Sequence, residues 1–175
     1  LRAYGVMARI FADSRRTNEA IEVYRTALER GCSQAPADEI ADFRYEFATF
    51  LAKSNKMTEA HEQLGLAAQA YRDIPAGGSG SAKAHLRLGD ISIIKDEFQQ
   101  AAESFKKAAD LDPANIECHD KLIQTYDKLG QFDNAIKAAK KALDDMSQTK
   151  QKENADKMRQ NIQFLEFKKS QQKQQ

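Results

Sequence analysis

Residues 88–113 read LGDISIIKDEFQQAAESFKKAADLDP, and residues 122–143 read LIQTYDKLGQFDNAIKAAKKAL. The two stretches align at an offset of 34 residues, which superimposes Ala101 on Ala135 and Ala108 on Ala142. In both, apolar residues recur three and four positions apart, the spacing of one face of an α-helix. Similarity at a fixed period of this length predicts stacked helix pairs that bury their apolar faces against each other.

The same pattern occurs twice more toward the N terminus, so the sequence predicts four helix pairs. Two helices can cross closely only where a small side chain separates them, and alanine marks that position on each second helix. Successive anchor alanines are 40, 41 and 34 residues apart, so the first two intervals contain extra residues that lengthen helices or turns. The anchors are Ala20, Ala60, Ala101 and Ala135, followed on the same face by Ala27, Ala67, Ala108 and Ala142.

A larger residue is expected between the two alanines of each second helix. Tyr24, Leu64 and Phe105 hold this position in the first three pairs, whereas Ala139 holds it in the fourth, which predicts looser packing there. The first helices supply the facing apolar residues of the first two pairs, namely Tyr4, Met7, Ala8 and Phe11, then Phe47, Ala48 and Leu51.

The helix boundaries also carry signals. Asp96 with Gln99 three residues later predicts a capping box that starts a second helix. Gly130 lies between the two helices of the fourth pair, where a helix end favours a residue with positive φ.

These residues resemble the tetratricopeptide repeat family, whose pattern is Leu-Gly-x-x-Tyr, then Ala-x-x-x-Phe, then Pro. Leu88-Gly89, Ala101, Phe105 and Pro113 match it. The resemblance implies an all-α, right-handed α-solenoid of about four helix pairs plus a C-terminal capping helix. It also implies a non-enzymatic protein–protein interaction module of a scaffold or adaptor. Such a module binds a peptide or helix of a partner in a concave groove lined by the first helices.

The chain divides into segments of different character. We assign repeats 1 and 2 to residues 1–74 and repeats 3 and 4 to residues 82–146. Residues 75–81 form a Gly/Ser linker, and whether it is native or an engineered loop replacement stays open. Residues 147–169 form an amphipathic capping helix, and residues 170–175 a frayed tail. The apolar stripe of the capping helix is Ala155, Met158, Ile162 and Leu165.

Composition argues against several classes of function. Lys and Arg number 27 and Asp and Glu 26, so no general excess of positive charge is available for nucleic acid. No apolar run reaches the roughly 18 residues of a membrane span. No phosphate-binding loop, nucleophile elbow or HExxH pair occurs, so we expect no enzyme activity and no cofactor. His85, His119 and Cys118 give at most three ligands, so we expect no metal.

The cysteine spacing indicates the compartment, and the charges of residues 147–175 indicate the character of the tail's surface. Cys32 and Cys118 show no disulfide spacing, which favours a reducing compartment, the cytoplasm or the nucleus. The chain starts without Met and without a signal-peptide pattern, as expected of a fragment of a longer protein. Residues 147–175 contain seven basic and three acidic residues, and we interpret these interleaved charges as a solvated face.

By the family resemblance, the inward-facing positions of the first helices form the binding surface. Val6, Tyr45 and Leu86 are the predicted exposed apolar anchors, since apolar residues among charges are typical of recognition surfaces. Arg9 and Arg87 are the predicted two-pronged partners of a carboxylate. The complete predicted set is Val6, Arg9, Tyr45, Thr49, Lys83, Leu86, Arg87, Asp90, Lys121 and Gln124.

Two alternative functions stay open. The first is self-association through an end repeat or the tail helix, which would make the chain a homo-oligomer. The second is a chaperone-type adaptor without an intact two-carboxylate clamp. Lys83 and Arg87 match two clamp positions of the family, whereas Glu46 stands at a third and would repel a carboxylate.

Overall fold

The computed structural model describes residues 1–30, 35–75, 80–148 and 152–172. These residues form nine α-helices and no strand, so the predicted all-α fold is confirmed. In chain order the helices are α1 (Arg2–Asp13), α2 (Thr17–Arg30), α3 (Ala37–Lys53), α4 (Met57–Arg72), α5 (Ser81–Ile94), α6 (Phe98–Leu111), α7 (Ile116–Lys128), α8 (Phe132–Gln148) and α9 (Lys152–Gln172).

The chain divides into two compact units, residues 1–76 and 77–175, which we call unit 1 and unit 2. Unit 1 contains the helix pairs α1–α2 and α3–α4, and unit 2 contains α5–α6 and α7–α8, with α9 packed on α8. Residues 76–79 of the predicted linker lie outside the described residues, and Ser81 already begins α5. Helix α9 includes residues 170–172, which were predicted to belong to the tail.

The anchor alanines are buried as the repeat predicts. All eight alanines of the two sets have no exposed surface, and Tyr24, Leu64 and Phe105 between them are buried as well. Of the predicted first-helix residues, Ala8, Phe47, Ala48 and Leu51 are buried, and Tyr4 and Phe11 are half-buried. The prediction is wrong for Met7, which shares the exposed side of α1 with Val6 and Ile10.

Aromatic rings join the two helix pairs of unit 1. The Tyr24 ring on α2 stacks on Phe47 of α3 with centroids 4.8 Å apart, and it lies 5.3 Å from Phe43 and 5.7 Å from Phe50. The second helix pair of unit 1 thereby covers the first, as the stacking of repeats requires.

In unit 2, a small residue on one helix of a pair is combined with a large residue on the other helix. A Cβ atom placed on Gly89 would lie 2.4 Å from the Phe105 ring, so α5 crosses α6 where no side chain fits. Ile123 occupies the same repeat position in α7 as Gly89 does in α5. Ile123 and Ala139 belong to one buried cluster. Ile123 therefore adds a large side chain to the cluster that contains Ala139, and looser packing around this alanine stays a prediction.

All four intrarepeat turns have the same backbone conformation. One residue in each has a left-handed φ, namely Arg15 (58°), Asn55 (61°), Asp96 (59°) and Gly130 (67°). The N–H of the following residue donates to the carbonyl five positions back at 2.8–2.9 Å, which is the Schellman ending of a helix. Asp96 is therefore the left-handed residue of its turn, and no side-chain cap starts α6. The predicted capping box is wrong for this reason.

We expect Gly130→Ala to lower the free energy of unfolding by about 1 kcal/mol, because a Cβ disfavours the left-handed conformation. Space is not limiting, since the nearest atom to a new Cβ would be 3.8 Å away on Gln172. Gly65→Ala is the matched control, because Gly65 lies in the interior of α4 with no atom within 4 Å of a new Cβ. This control should raise the free energy of unfolding by about 0.5–1 kcal/mol. Shifts of the same sign in urea titrations would contradict the turn assignment.

The extra residues of the first two repeats lie outside these turns. Among the first helices, α3 has 17 residues, whereas α5 and α7 have 14 and 13. Among the second helices, α4 has 16 residues and α6 has 14. The connections from α2 to α3 (31–36) and from α4 to α5 (73–80) are also longer than the one from α6 to α7 (112–115). Both helices and connections therefore absorb the additional length, and the turn before each anchor alanine is unchanged.

Helix α9 covers the last apolar face of unit 2, which confirms the predicted capping helix. Its stripe of Ala155, Met158, Ile162 and Leu165 is buried against α7 and α8 in the cluster that contains Ile123 and Ala139. Ion pairs hold its C-terminal half, since Lys168 Nζ lies 2.6 Å from Asp127 Oδ2 on α7 and Lys169 pairs with Asp133 on α8.

Candidate functional site

Unit 1 carries four of the predicted binding residues on its first helices. Val6 and Arg9 on α1 are exposed, and Tyr45 and Thr49 on α3 are half-buried. The Arg9 Nε atom lies 3.4 Å from Glu46 Oε1. The Thr49 hydroxyl donates to the Glu46 carbonyl oxygen at 2.8 Å. Arg9 and Thr49 thus already have polar partners within unit 1.

Glu46 is the residue that organises this face of unit 1. Besides contacting Arg9, it accepts a hydrogen bond from the Tyr24 hydroxyl at 3.4 Å. Burial raises the pKa of Tyr24, and the nearby Glu46 carboxylate raises it further. In the sequence, Glu46 was noted only because it departs from the two-carboxylate clamp pattern. Its contacts with Arg9 on α1 and Tyr24 on α2 arise from helix stacking, which the sequence pattern does not show.

Three predicted residues of unit 2 form one charge network across α5 and α7. The Asp90 carboxylate, only 7% exposed, lies 3.2 Å from Arg87 Nη1 and 2.5 Å from Lys121 Nζ. Lys121 also lies 3.5 Å from Glu117. Two cations beside a buried carboxylate offset the cost of removing it from water. Arg87 therefore contacts a carboxylate of its own helix, although the sequence suggested that it would bind one of a partner.

A pocket of about 130 Å³ opens beside this network on the face formed by α5 and α7, which we call the first-helix face of unit 2. Asp90, Lys121 and Gln124, all predicted binding residues, line it. Lys83 and Gln124 are exposed on these two helices. The full lining consists of Asp90, Ile93, Phe105, Lys121, Gln124, Thr125 and Lys128. The lining combines two apolar side chains with five polar or charged ones, and convergent polar groups beside apolar surface are typical of a recognition site.

Leu86 is not an exposed anchor, and that prediction is wrong. Its side chain is buried in one cluster with Phe105, Cys118 and Leu122. Cys118 and Leu122 belong to α7, so the next helix pair packs over this side of α5.

The pocket is also lined by three residues that were not predicted to bind a partner, Ile93, Phe105 and Thr125. Phe105 was recognised as a core residue, and it is both buried and part of the pocket wall. Ile93 lies three residues after Asp90 on the same face of α5, a spacing that the sequence alone shows. The Thr125 hydroxyl donates to the Lys121 carbonyl at 2.6 Å. Only the packing of α7 beside α5 shows that Thr125 borders the pocket.

Among the residues considered as metal ligands, Cys118 and His119 are buried and His85 is half-buried. Cys118 is fully buried, and burial raises its pKa to about 11, so the thiol stays protonated at neutral pH. His119 Nε2 lies 3.1 Å from the Pro113 carbonyl oxygen. Burial lowers the pKa of His85. Within the described ranges, no three His, Cys, Asp or Glu side chains are placed to hold a metal ion. Cys32 lies outside those ranges.

Helix hydropathy is the feature relevant to crossing a membrane, and the basic residues of α9 are the feature relevant to contact with nucleic acid. None of the helices described is both long and apolar enough to cross a membrane. In α9, Arg159 lies 2.5 Å from Asp156, and Lys168 and Lys169 pair with acidic residues of α7 and α8. These three basic groups are engaged in ion pairs within the chain.

Comparison with curated proteins finds limited similarity to a much longer protein. The nuclear autoantigenic sperm proteins of Homo sapiens and Bos taurus are each 32% identical over 72 residues. The match covers 37% of this chain and 9% of either relative, so the chain spans only a small part of their length.

Solved structures share the fold over nearly the whole chain. A putative kinesin light chain from Podosopora anserina with TPR-like repeats has a TM-score of 0.76 at 14% identity, covering 99% of this chain and 88% of its own. MamA (AMB-1) has a TM-score of 0.62 at 20% identity, covering 98% and 90%. The apo form of RapI has a TM-score of 0.70 at 16% identity, covering 96% and 48%. At these identities the likeness shows the fold, an α-solenoid.

Family sequence profiles agree with the four buried alanine anchors. Two profiles described as tetratricopeptide repeat match the chain, one over residues 6–77 and the other over residues 82–115 and 123–144. The matched ranges contain all four anchor alanines and the left-handed residue of all four turns. The chain therefore belongs to the tetratricopeptide repeat family.

Proposed function

We propose that this chain is a non-enzymatic protein–protein interaction module of a scaffold or adaptor. Its first-helix face in unit 2 holds an extended or helical segment of a partner protein. The observation that carries this proposal is the pocket of about 130 Å³ in which Asp90, Lys121 and Gln124 converge. The fold supports it as well, since tetratricopeptide repeats typically serve as scaffolds.

The face is organised before a ligand arrives. Arg87 and Lys121 hold the Asp90 carboxylate, and the Thr125 hydroxyl is bound to its own helix. Lys128 Nζ lies 5.2 Å from the centroid of the Phe98 ring, which limits where this side chain can extend. A surface whose polar groups are already positioned loses little conformational entropy on binding, so binding orders mainly the ligand.

Unit 1 offers a second face of the same kind in this proposal. Val6 provides exposed apolar surface, and Tyr45 and Thr49 lie beside the Arg9–Glu46 pair. A reducing compartment suits the chain because Cys118 is a free, buried thiol. The word nuclear in the name of the matched relatives agrees with the nuclear alternative.

We expect Gln124→Trp to weaken capture of a partner from native extract by about tenfold, because the indole would cover the pocket whatever the charge of the ligand. Gln124 is exposed, so its replacement should leave the melting midpoint unchanged. Gln163→Trp on the exposed side of α9 is the matched control. The partners retained by wild type would be compared by quantitative mass spectrometry, and equal retention by both variants would remove the pocket from the proposal.

Self-association is the second candidate, and exposed apolar residues on the first and last helices favour it. Val6 and Ile10 on α1 and Phe164 and Phe167 on α9 are each more than half exposed. Apolar side chains at such positions are typical of contacts between protein chains. Light scattering over a wide concentration range decides this question, since a constant monomeric mass would exclude it.

A further inference from the structure

A second pocket, of about 170 Å³, is lined in unit 2 by residues of the second helices α6 and α8 and of α7. Between them, Leu122 and Tyr126 of α7 are part of the lining. Ala109 and Ala138 add apolar surface from the two flanking helices. We call this the second-helix groove.

Contacts across the groove hold the two flanking helices together. The Gln131 amide donates to Gln99 Oε1 at 3.3 Å near the start of the two helices. Lys141 pairs with Asp110 farther along. Because these contacts hold α6 and α8 at a set distance, the apolar floor between them stays open to a side chain from outside.

The charges that surround the groove are mainly positive. Lys106, Lys137 and Lys141 line it, against the single carboxylate of Asp110, which pairs with Lys141. Lys106 and Lys137 are exposed, and among the residues described neither has a carboxylate partner. Burial raises the pKa of Tyr126, and the Glu103 carboxylate raises it further; the Tyr126 hydroxyl is protonated at neutral pH even without this shift.

In unit 1, the same repeat positions form a salt bridge between the two second helices. Arg25 on α2 holds the position of Lys106, five residues after its anchor alanine, and Glu59 on α4 holds the position of Asn134. Arg25 Nη2 lies 2.8 Å from Glu59 Oε2, so a salt bridge crosses between the second helices there. In unit 2, Asn134 replaces that carboxylate and lines the groove. The positive charge of Lys106 is thereby left for a carboxylate from another molecule.

We propose that the second-helix groove binds an acidic segment of a partner protein that carries an apolar side chain. The apolar side chain lies on Leu122 and Tyr126, and flanking carboxylates pair with Lys106 and Lys137. This site is separate from the first-helix face, so the module can hold two partner segments at once.

Binding of a defined probe tests the proposal. The probe is a fluorescein-labelled octapeptide, Asp-Glu-Leu-Asp-Glu-Phe-Asp-Glu, followed by fluorescence anisotropy with the full chain. One control peptide has serine in place of the leucine and phenylalanine, and the other has lysine in place of every acidic residue. We expect the probe to bind at least about tenfold more tightly than either control, because both its charge and its apolar groups are used.

Variants of Asn134 test the position of the site. Asn134→Glu places a carboxylate where unit 1 has Glu59, so Lys106 gains an internal partner and probe affinity should fall about tenfold. An acidic residue in the first turn of α8 also suits the helix dipole, so the fold should be retained. Asn134→Gln should keep wild-type affinity. Lys107→Glu makes the net charge more negative by two on α6 outside the groove and should change affinity less than about twofold.

Three results would overturn the proposal. They are equal affinity for the probe and its lysine counterpart, equal affinity for the probe and its serine counterpart, or an Asn134→Glu variant that binds like wild type while melting normally. If Asn134→Glu did not fold, Lys137→Glu would provide the same test. Gln124→Trp should leave probe binding unchanged, so failure of this proposal is distinguishable from failure of the first-helix face.

Discussion

Replacing Met158 with alanine should lower the free energy of unfolding by about 2–5 kcal/mol, the usual cost of removing a large apolar side chain from a packed core. Met158 is 1% exposed and lies in the N-terminal half of α9. It belongs to the cluster that also contains Ile123, Ala135 and Ala139. Loss of its side chain leaves a cavity under the capping helix that small alanines cannot fill.

Phe167→Ala is the matched control for this prediction. Phe167 lies on the same helix and is 60% exposed, so its truncation should change the free energy of unfolding by less than about 0.5 kcal/mol. Urea titrations followed by circular dichroism measure both variants. Equal effects of the two substitutions would show that α9 does not close the apolar face of unit 2.

The second large effect is expected for Gly89→Ala, which should cost about 1–3 kcal/mol through overpacking. The new Cβ atom would lie within 2.4–2.8 Å of three atoms of the Phe105 ring. That ring is 1% exposed and cannot move away without displacing its neighbours. A substitution of glycine by alanine within a helix would otherwise be stabilising, so the sign of the effect reports the close crossing.

The chain itself offers the compensating variant. The second repeat has Ala48 and Leu64 at the positions of Gly89 and Phe105, and both are fully buried. Gly89→Ala with Phe105→Leu should therefore regain part of the stability that Gly89→Ala loses. A double-mutant cycle in urea measures this coupling. Strict additivity of the two substitutions would contradict the assigned contact.

Two departures from the sequence prediction have physical causes in the packing of neighbouring helices. Leu86 has the same local spacing as a groove residue, but α7 covers it. Asp96 has the sequence signature of a cap, but its backbone takes the left-handed position that Gly130 takes in the last repeat. A side-chain signature identifies the turn and leaves its register uncertain by one residue, because Asp tolerates both conformations.

The charge contacts on the first helices of unit 1 and unit 2 were also predicted only in part. Arg9, Arg87 and Lys121 were recognised as inward-facing from repeat position alone. The contacts of Arg9 with Glu46 and of Lys121 with Asp90 depend on which helices are adjacent and how far apart they lie. Asp90 is also three residues from Arg87 on the same helix, a spacing that the sequence contains. The second-helix groove was not predicted, because Asn134 and Lys106 gain significance only when compared with the Arg25–Glu59 pair of unit 1.

The linear pattern of small and large residues determined that this chain forms helix pairs, where the helices cross and which stripe of the last helix is buried. These features follow from periodicity, since side chains three and four residues apart lie on one helix face. Tertiary structure alone decided which inward-facing residues remain accessible, which charges neutralise one another, and where gaps remain between helices. Those outcomes depend on distances between residues about 20 to 40 positions apart, and local spacing contains no information about such distances.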